Sequence, residues 1–209
     1  NFRSIHRMKL YLLTRREFFV EEDKILSALF DEGLDVLHIR KPGAEPVFAE
    51  RLLTLLHEDF RDRIMVHEHY YLKEEFGLRG VHVTEGGEQL PPSYRGVKST
   101  SCHTVKELQE KKGQFDYMFL SPVFDSISSP AMKSAFTPDD LKSAASAGAI
   151  NKKVIACGGV SAENIRQLRD YGFGGVCILG DLWQHFSPHS TTNYKDLIHH
   201  FRNIRKAAD

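Results

Sequence analysis

The residues able to do chemistry in this chain fall in a few short stretches of cations, carboxylates and small donors. Arg40 and Lys41 are neighbours. A guanidinium fork beside an ammonium would hold two phosphoryl oxygens; a solvated basic pair next to the Pro42-Gly43 turn is the alternative. His67-Glu68-His69 has the composition of a metal cluster. On a strand, however, His67 and His69 share one face and Glu68 points to the other. That set is too small for tetrahedral zinc. It leaves Glu68 as an oxygen ligand for Mg²⁺ completed by water, or as the cap of the next helix. In Ser101-Cys102-His103, adjacent residues do not face each other and no acid partner is evident, so nucleophile and base are not paired. Ser101 reads instead as a hydroxyl donor to substrate, with Cys102 in the core and His103 starting a helix. Two apolar runs end in glycine, one at Gly158-Gly159 and one at Gly180-Asp181. Glycine where a strand hands over to a helix frees backbone N–H groups and admits an anion; tight helix–strand packing is the alternative.

The elements that must position these groups alternate from end to end. Strands are expected at Lys9–Thr14, Val36–Lys41, Ile64–His69, Gly80–Glu85, Gly96–Ser101 and Phe115–Val123, and in the two glycine-ended runs. Helices are expected at Glu21–Gly33, Pro46–Phe60, Tyr70–Phe76, Thr104–Lys112, Pro138–Ala147, Ser161–Tyr171 and Tyr194–Ala207, and Gly86–Tyr94 reads as a loop or degenerate helix. Proline opens two of the helices at its favoured first turn. Eight strand–helix units in one chain of 209 residues match a single-domain (β/α)8 TIM barrel. An open doubly wound sheet is the rival, and no dinucleotide fingerprint follows the first strand to favour it. In a barrel the active site lies at the C-terminal ends of the strands. Those ends carry Thr14 and Arg15, Arg40 and Lys41, His67 to His69, Glu85, Ser101 and His103, Ser121, Asp125 and Ser126, and the two glycine turns. Such a set suits a multiply phosphorylated substrate with a divalent metal. The long polar loop Phe124–Phe136 lies on the same face and reads as a lid.

Composition narrows the class further. Lys plus Arg and Asp plus Glu are 28 each, which speaks against general nucleic-acid binding and charge-held membrane binding. No apolar run approaches the roughly 20 residues that span a bilayer. Cys102, Cys157 and Cys177 are odd in number and far apart, the pattern of buried free thiols in a reducing cytoplasm. The barrel domain is expected over residues 8–209, with Met8 as a natural start and residues 1–7 as a leader or remnant. The pattern leaves a homo-oligomer open.

Several segments together resemble the thiamine-phosphate synthase and TenI family. They are Lys9-Leu-Tyr-Leu-Leu-Thr14, His38-Ile-Arg-Lys41 after Gly33, Gly80-Val-His-Val83, Ser101-Cys-His103, Ser121-Pro-Val-Phe124, and Ile155-Ala-Cys-Gly-Gly-Val160 with Asn164. The resemblance implies a (β/α)8 barrel that joins a hydroxymethylpyrimidine pyrophosphate to a hydroxyethylthiazole phosphate, with Mg²⁺ assisting pyrophosphate departure. It assigns Arg40 and Lys41 to the pyrophosphate. Ser101 is expected beside them as a catalytic hydroxyl, and His38 and His67 are expected to bind substrate. Gly158, Gly159, Gly180 and Asp181 would take the thiazole phosphate. The family's Asn-Asp metal pair is replaced by His67-Glu68, which leaves Glu68 and Glu85 as the Mg²⁺ ligands. Its hydroxyl lid motif aligns with Ser126-Ile-Ser-Ser129, so Ser126 and Ser128 keep hydroxyls while the lid lysine is absent unless Lys133 folds back. Pro122 stands where the tautomerase branch carries a histidine. A TenI-like tautomerase and a non-catalytic phosphate-ligand binding or regulatory protein therefore stand beside the synthase as alternatives.

Overall fold

Eight short runs of β-branched, aromatic and leucine residues form the parallel strands of a closed barrel. The computed structural model describes residues 7–127, 129–188 and 194–209. The strands are β1 (Lys9–Leu13), β2 (Val36–Ile39), β3 (Ile64–Val66), β4 (Gly80–Val83), β5 (Val97–Cys102), β6 (Tyr117–Leu120), β7 (Val154–Cys157) and β8 (Gly175–Ile178). Each pairs with its successor, and β1 closes on β8 through Lys9↔Gly175 to Leu12↔Ile178. Both faces of every strand are covered, which is why Val36–Ile39 and Tyr117–Leu120 are buried throughout instead of alternating.

The helices are α1 (Glu22–Asp31), α2 (Pro46–Leu55), α3 (Leu72–Phe76), α4 (Val105–Lys111), α5 (Pro138–Ser146), α6 (Ile165–Arg169), α7 (Gly180–Trp183) and α8 (Lys195–Ala208). Two apolar clusters hold the layers. The larger lies between strands and helices; the smaller fills the barrel around Tyr11, Met65, Tyr117, Phe119 and Ile155. Leu197, Ile198, Phe201 and Ile204 seat α8 as their helical spacing predicts. Thr137 caps α5 in a reciprocal capping box with Asp140, at 3.1 and 2.8 Å.

Three expectations need adjusting. The helix from Pro46 ends at Leu55 because Leu56 turns extended, and Glu58–Arg63 forms a separate 3₁₀ turn. The helix after β7 starts only at Ile165, since Gly158–Asn164 forms the turn itself. The short helix α7 directly follows β8 and was not apparent from periodicity, being only four residues long. At the N-terminus, residues 1–6 lie outside the described residues, and Arg7 pairs with Asp35 and Asp209 at 3.3 Å each. No described helix is long and apolar enough to cross a membrane.

Candidate active site

Arg40 follows β2 two positions after His38, so both side chains project into the barrel. Its Nε is buried without a hydrogen-bond partner among the described residues. The guanidinium borders a cavity of about 470 Å³ at the C-terminal ends of the strands. Arg15, Arg16, Ser121, Ser126, Ser129, Gly158–Val160 and Gly180 also line it. Arg15 is positioned by donating from Nη1 to the Phe186 carbonyl at 3.1 Å and packing beside the Phe19 and Phe186 rings. Three arginine residues therefore line one cavity with a glycine turn. Arg16 had no motif to mark it; the Thr14–Arg15 strand end was its only signal.

The glycine turn has the form expected of it. Gly158 and Gly159 have φ of +89° and +66°. A Cβ on Gly158 would lie 2.7 Å from Pro122, and one on Gly159 would collide with the Asp125 carbonyl and the Phe124 side chain. Among the described residues, the N–H groups of Gly159 and Val160 make no backbone hydrogen bond, while the Gly158 N–H lies against the Cys157 sulfur. Asn164 holds the turn by donating to the Gly159 carbonyl at 2.8 Å and accepting from Ser161 N–H at 2.8 Å. Gly159→Ala is therefore expected to cost about 1–3 kcal/mol of stability through strain and collision, read as a lower urea midpoint. It should also weaken inorganic phosphate binding; unchanged values for both would contradict this turn.

Lys41 does not share the cavity with Arg40. As the next residue along an extended segment it points outward. Its Nζ donates to Glu22 Oε2 at 2.6 Å and to the Glu17 carbonyl at 2.8 Å, with both charged side chains 2% exposed. The same alternation turns Glu68 outward, where it accepts the Lys41 N–H at 3.2 Å. Burial pushes the Glu68 carboxyl upward. Lys133 pairs with Asp125 at 3.5 Å on the exposed loop and does not line the cavity. Asp181 is buried beneath the Gly180 turn, accepting Ala162 N–H at 3.0 Å, and it too is absent from the cavity wall. Ser126 lines the wall as expected, and Ser128 lies outside the described residues. The loop after Phe124 thus supplies one side of the cavity through Ser126, Ile127, Ser129 and Met132.

His38, His67 and Ser101 belong to a buried polar layer inside the barrel. His38 Nδ1 meets His67 Nε2 at 2.8 Å and its Nε2 meets the Tyr117 hydroxyl at 2.7 Å. His82, in the Gly80-Val-His-Val83 segment, meets Ser99 at 2.8 Å and Ser101 at 3.0 Å. It stacks on His67 with centroids 4.2 Å apart. Burial pulls all three histidines down, to about 3 for His82, where the Arg40 charge adds to the effect. They are therefore neutral, whereas in the unfolded chain His82 returns to 6.5. Stability contributed by that neutral form is complete above about pH 6.5 and is lost as pH falls toward 3. At pH 5, His82 alone should cost about 2 kcal/mol, with His38 and His67 acting in the same direction. Urea unfolding at pH 7.5 and pH 5 measures this; equal stabilities would refute the buried neutral layer.

The cysteines are free. Cys102 is core, but Cys157 and Cys177 are partners across β7 and β8 and border the cavity. A hydrogen bond from Cys177 lowers the Cys157 thiol, and burial raises Cys177.

The sequence matches the family profile described as thiamine monophosphate synthase over residues 10–182. The chain belongs to the thiamine monophosphate synthase family. A solved thiamine phosphate pyrophosphorylase from Bacteroides thetaiotaomicron is 45% identical, with a TM-score of 0.90 over 97% of this chain and 98% of that one. A thiamine phosphate pyrophosphorylase from Pyrococcus furiosus, 17% identical, shares the fold with a TM-score of 0.74 over 97% of this chain and 96% of its own. The thiamine-phosphate synthase of Halalkalibacterium halodurans is 24% identical over 83% of this chain and 87% of its own length.

Within this thiamine monophosphate synthase family barrel, Glu68 and Glu85 do not form a ready magnesium cage. Glu85 is exposed in the turn after β4, Glu68 is committed to Lys41 N–H, and neither lines the cavity. Among the described residues, the groups of three donors close enough to share an ion are His38, His67 and His82, and Asp181, His185 and His200.

Proposed function

We propose that the chain couples a hydroxymethylpyrimidine diphosphate with a hydroxyethylthiazole phosphate to give thiamine phosphate and pyrophosphate. The observation that supports this reading is one cavity with two anion grips, Arg40 with its unpartnered Nε and the Gly158–Val160 turn with its N–H groups. In this reading the bond from the pyrimidine methylene to the diphosphate oxygen breaks, and its electron pair leaves with pyrophosphate. The thiazole nitrogen lone pair then forms the new C–N bond. The protein needs no nucleophile; Arg40, Arg15 and Arg16 neutralise charge gathering on the leaving group, and the glycine turn holds the acceptor's phosphate in place. Mg²⁺ belongs to the proposal as a companion of the diphosphate, whose oxygens supply most of its ligands. Among the described residues, Glu17 is the carboxylate residue on the cavity wall, and Glu68 lies outside it beside the end of β2.

A second reading, ligand binding without turnover, is favoured by the position of Glu68 and Glu85 outside the cavity. Incubation with both substrates, with and without Mg²⁺, distinguishes the two. Equimolar thiamine phosphate and pyrophosphate is the expected result. Saturable thiazole phosphate binding with no product would establish the second reading and remove the first.

A further inference from the structure

Beneath the Gly180 turn, between α7 and α8, Asp181, His185 and His200 bring one ligand atom each to within 4.8 Å of one another. Asp181 is on α7, His185 just beyond its end and His200 on α8. Asp181 Oδ2 and His200 Nε2 are 3.1 Å apart, close to the edge of about 3.3 Å between ligand atoms of a tetrahedral zinc. His200 Nε2 is buried, yet it has no hydrogen-bond partner among the described residues despite that proximity. A simple Asp–His hydrogen bond would align the ring nitrogen with the carboxylate and would not gather a second imidazole. The His185 ring lies 5.4 Å from that of His200, at 73°. The carboxylate is oriented by Ala162 N–H at 3.0 Å, the kind of outer contact that fixes a metal ligand.

We propose that Asp181, His185 and His200 form a Zn²⁺ site with water as the fourth ligand. Two imidazoles and one carboxylate form a donor set that suits zinc and other late first-row divalent ions and suits Mg²⁺ poorly. Exposed His185 gives the ion its entry path. The site is separate from the cavity but braces it from behind. It ties the helix that begins at Gly180 to α8 and, through Ala162, to the turn after β7. It also fixes the segment carrying Phe186, whose carbonyl holds Arg15.

The test uses the whole chain, stripped with a chelator and titrated with Zn²⁺ by calorimetry and with Co²⁺ by visible absorption. One equivalent should bind, with the intense d–d bands of low-coordinate Co²⁺ and a rise in Tm on adding Zn²⁺. His185→Ala, at an exposed position compatible with folding, and His200→Gln should each weaken Zn²⁺ at least about 10–100-fold and abolish the Tm rise. Absence of saturable binding in the parent chain would overturn the proposal. So would Zn²⁺ affinity unchanged in the folded His185→Ala variant.

Discussion

Arg40→Ala is expected to lower kcat/KM for thiamine phosphate formation by about 10²–10³-fold, the effect of removing one preorganised donor from a developing anion. The side chain projects into the cavity, and among the described residues its Nε is buried without a partner and only its backbone is hydrogen-bonded, with Thr14 at 3.0 and 3.2 Å. Its guanidinium thus contributes little to holding the barrel together, and the variant should unfold near the parental urea midpoint. Arg40→Lys should restore only part of the rate, since an ammonium lacks the planar fork that spans two phosphoryl oxygens. Loss of rate with an unchanged pyrophosphate affinity is not expected. A decrease smaller than tenfold in Arg40→Ala would move the diphosphate to another part of the cavity.

Its neighbour should behave in the opposite way. Lys41→Met is expected to cost about 3–5 kcal/mol of stability, because it strands the buried Glu22 carboxylate. Glu22 Oε1 already lacks a partner, and Lys41 Nζ at 2.6 Å is the counter-charge for Oε2. Burial dominates both groups, raising the Glu22 carboxyl and lowering the Lys41 ammonium while each draws the other back toward its charged form. The pair is therefore costly to form and more costly to break. Glu22→Gln combined with Lys41→Met should recover most of the loss, since the double change leaves no uncompensated charge. Urea midpoints for the two single variants and the double variant measure the coupling; a Lys41→Met loss below about 1 kcal/mol would refute the buried pair. Folded Lys41→Met should retain most of its kcat/KM, in contrast to Arg40→Ala.

This contrast shows where the linear reading succeeds and where it stops. Arg40 and Lys41 read as one cationic pair, yet strand alternation sends them to opposite faces. The rule that separated His67 from Glu68 applies equally to Arg40 and Lys41. Gly158 and Gly159 were legible because their backbone demands glycine locally, at φ of +89° and +66°. His82 and Tyr117 gave no such signal, since their partners Ser99, Ser101 and His38 come from other strands. Lys133 lies on the expected loop but is paired with Asp125 through the local fold of that loop.

The order of amino acids carried the eight strands, the helices after all of them but β4, the free thiols, the glycine turn and the strand ends at which a phosphate site would form. These depend on short-range properties: periodicity, capping and backbone freedom. Closure of the barrel decided the rest. Only when β1 meets β8 do Arg15, Arg16 and Arg40 face Gly158–Val160, and only then do three neutral histidines share one interior layer. The packing of α7 against α8 likewise brings Asp181, His185 and His200 together. Such contacts join residues far apart in the chain, so their geometry is set by the closed sheet and the helices around it rather than by spacing along the sequence.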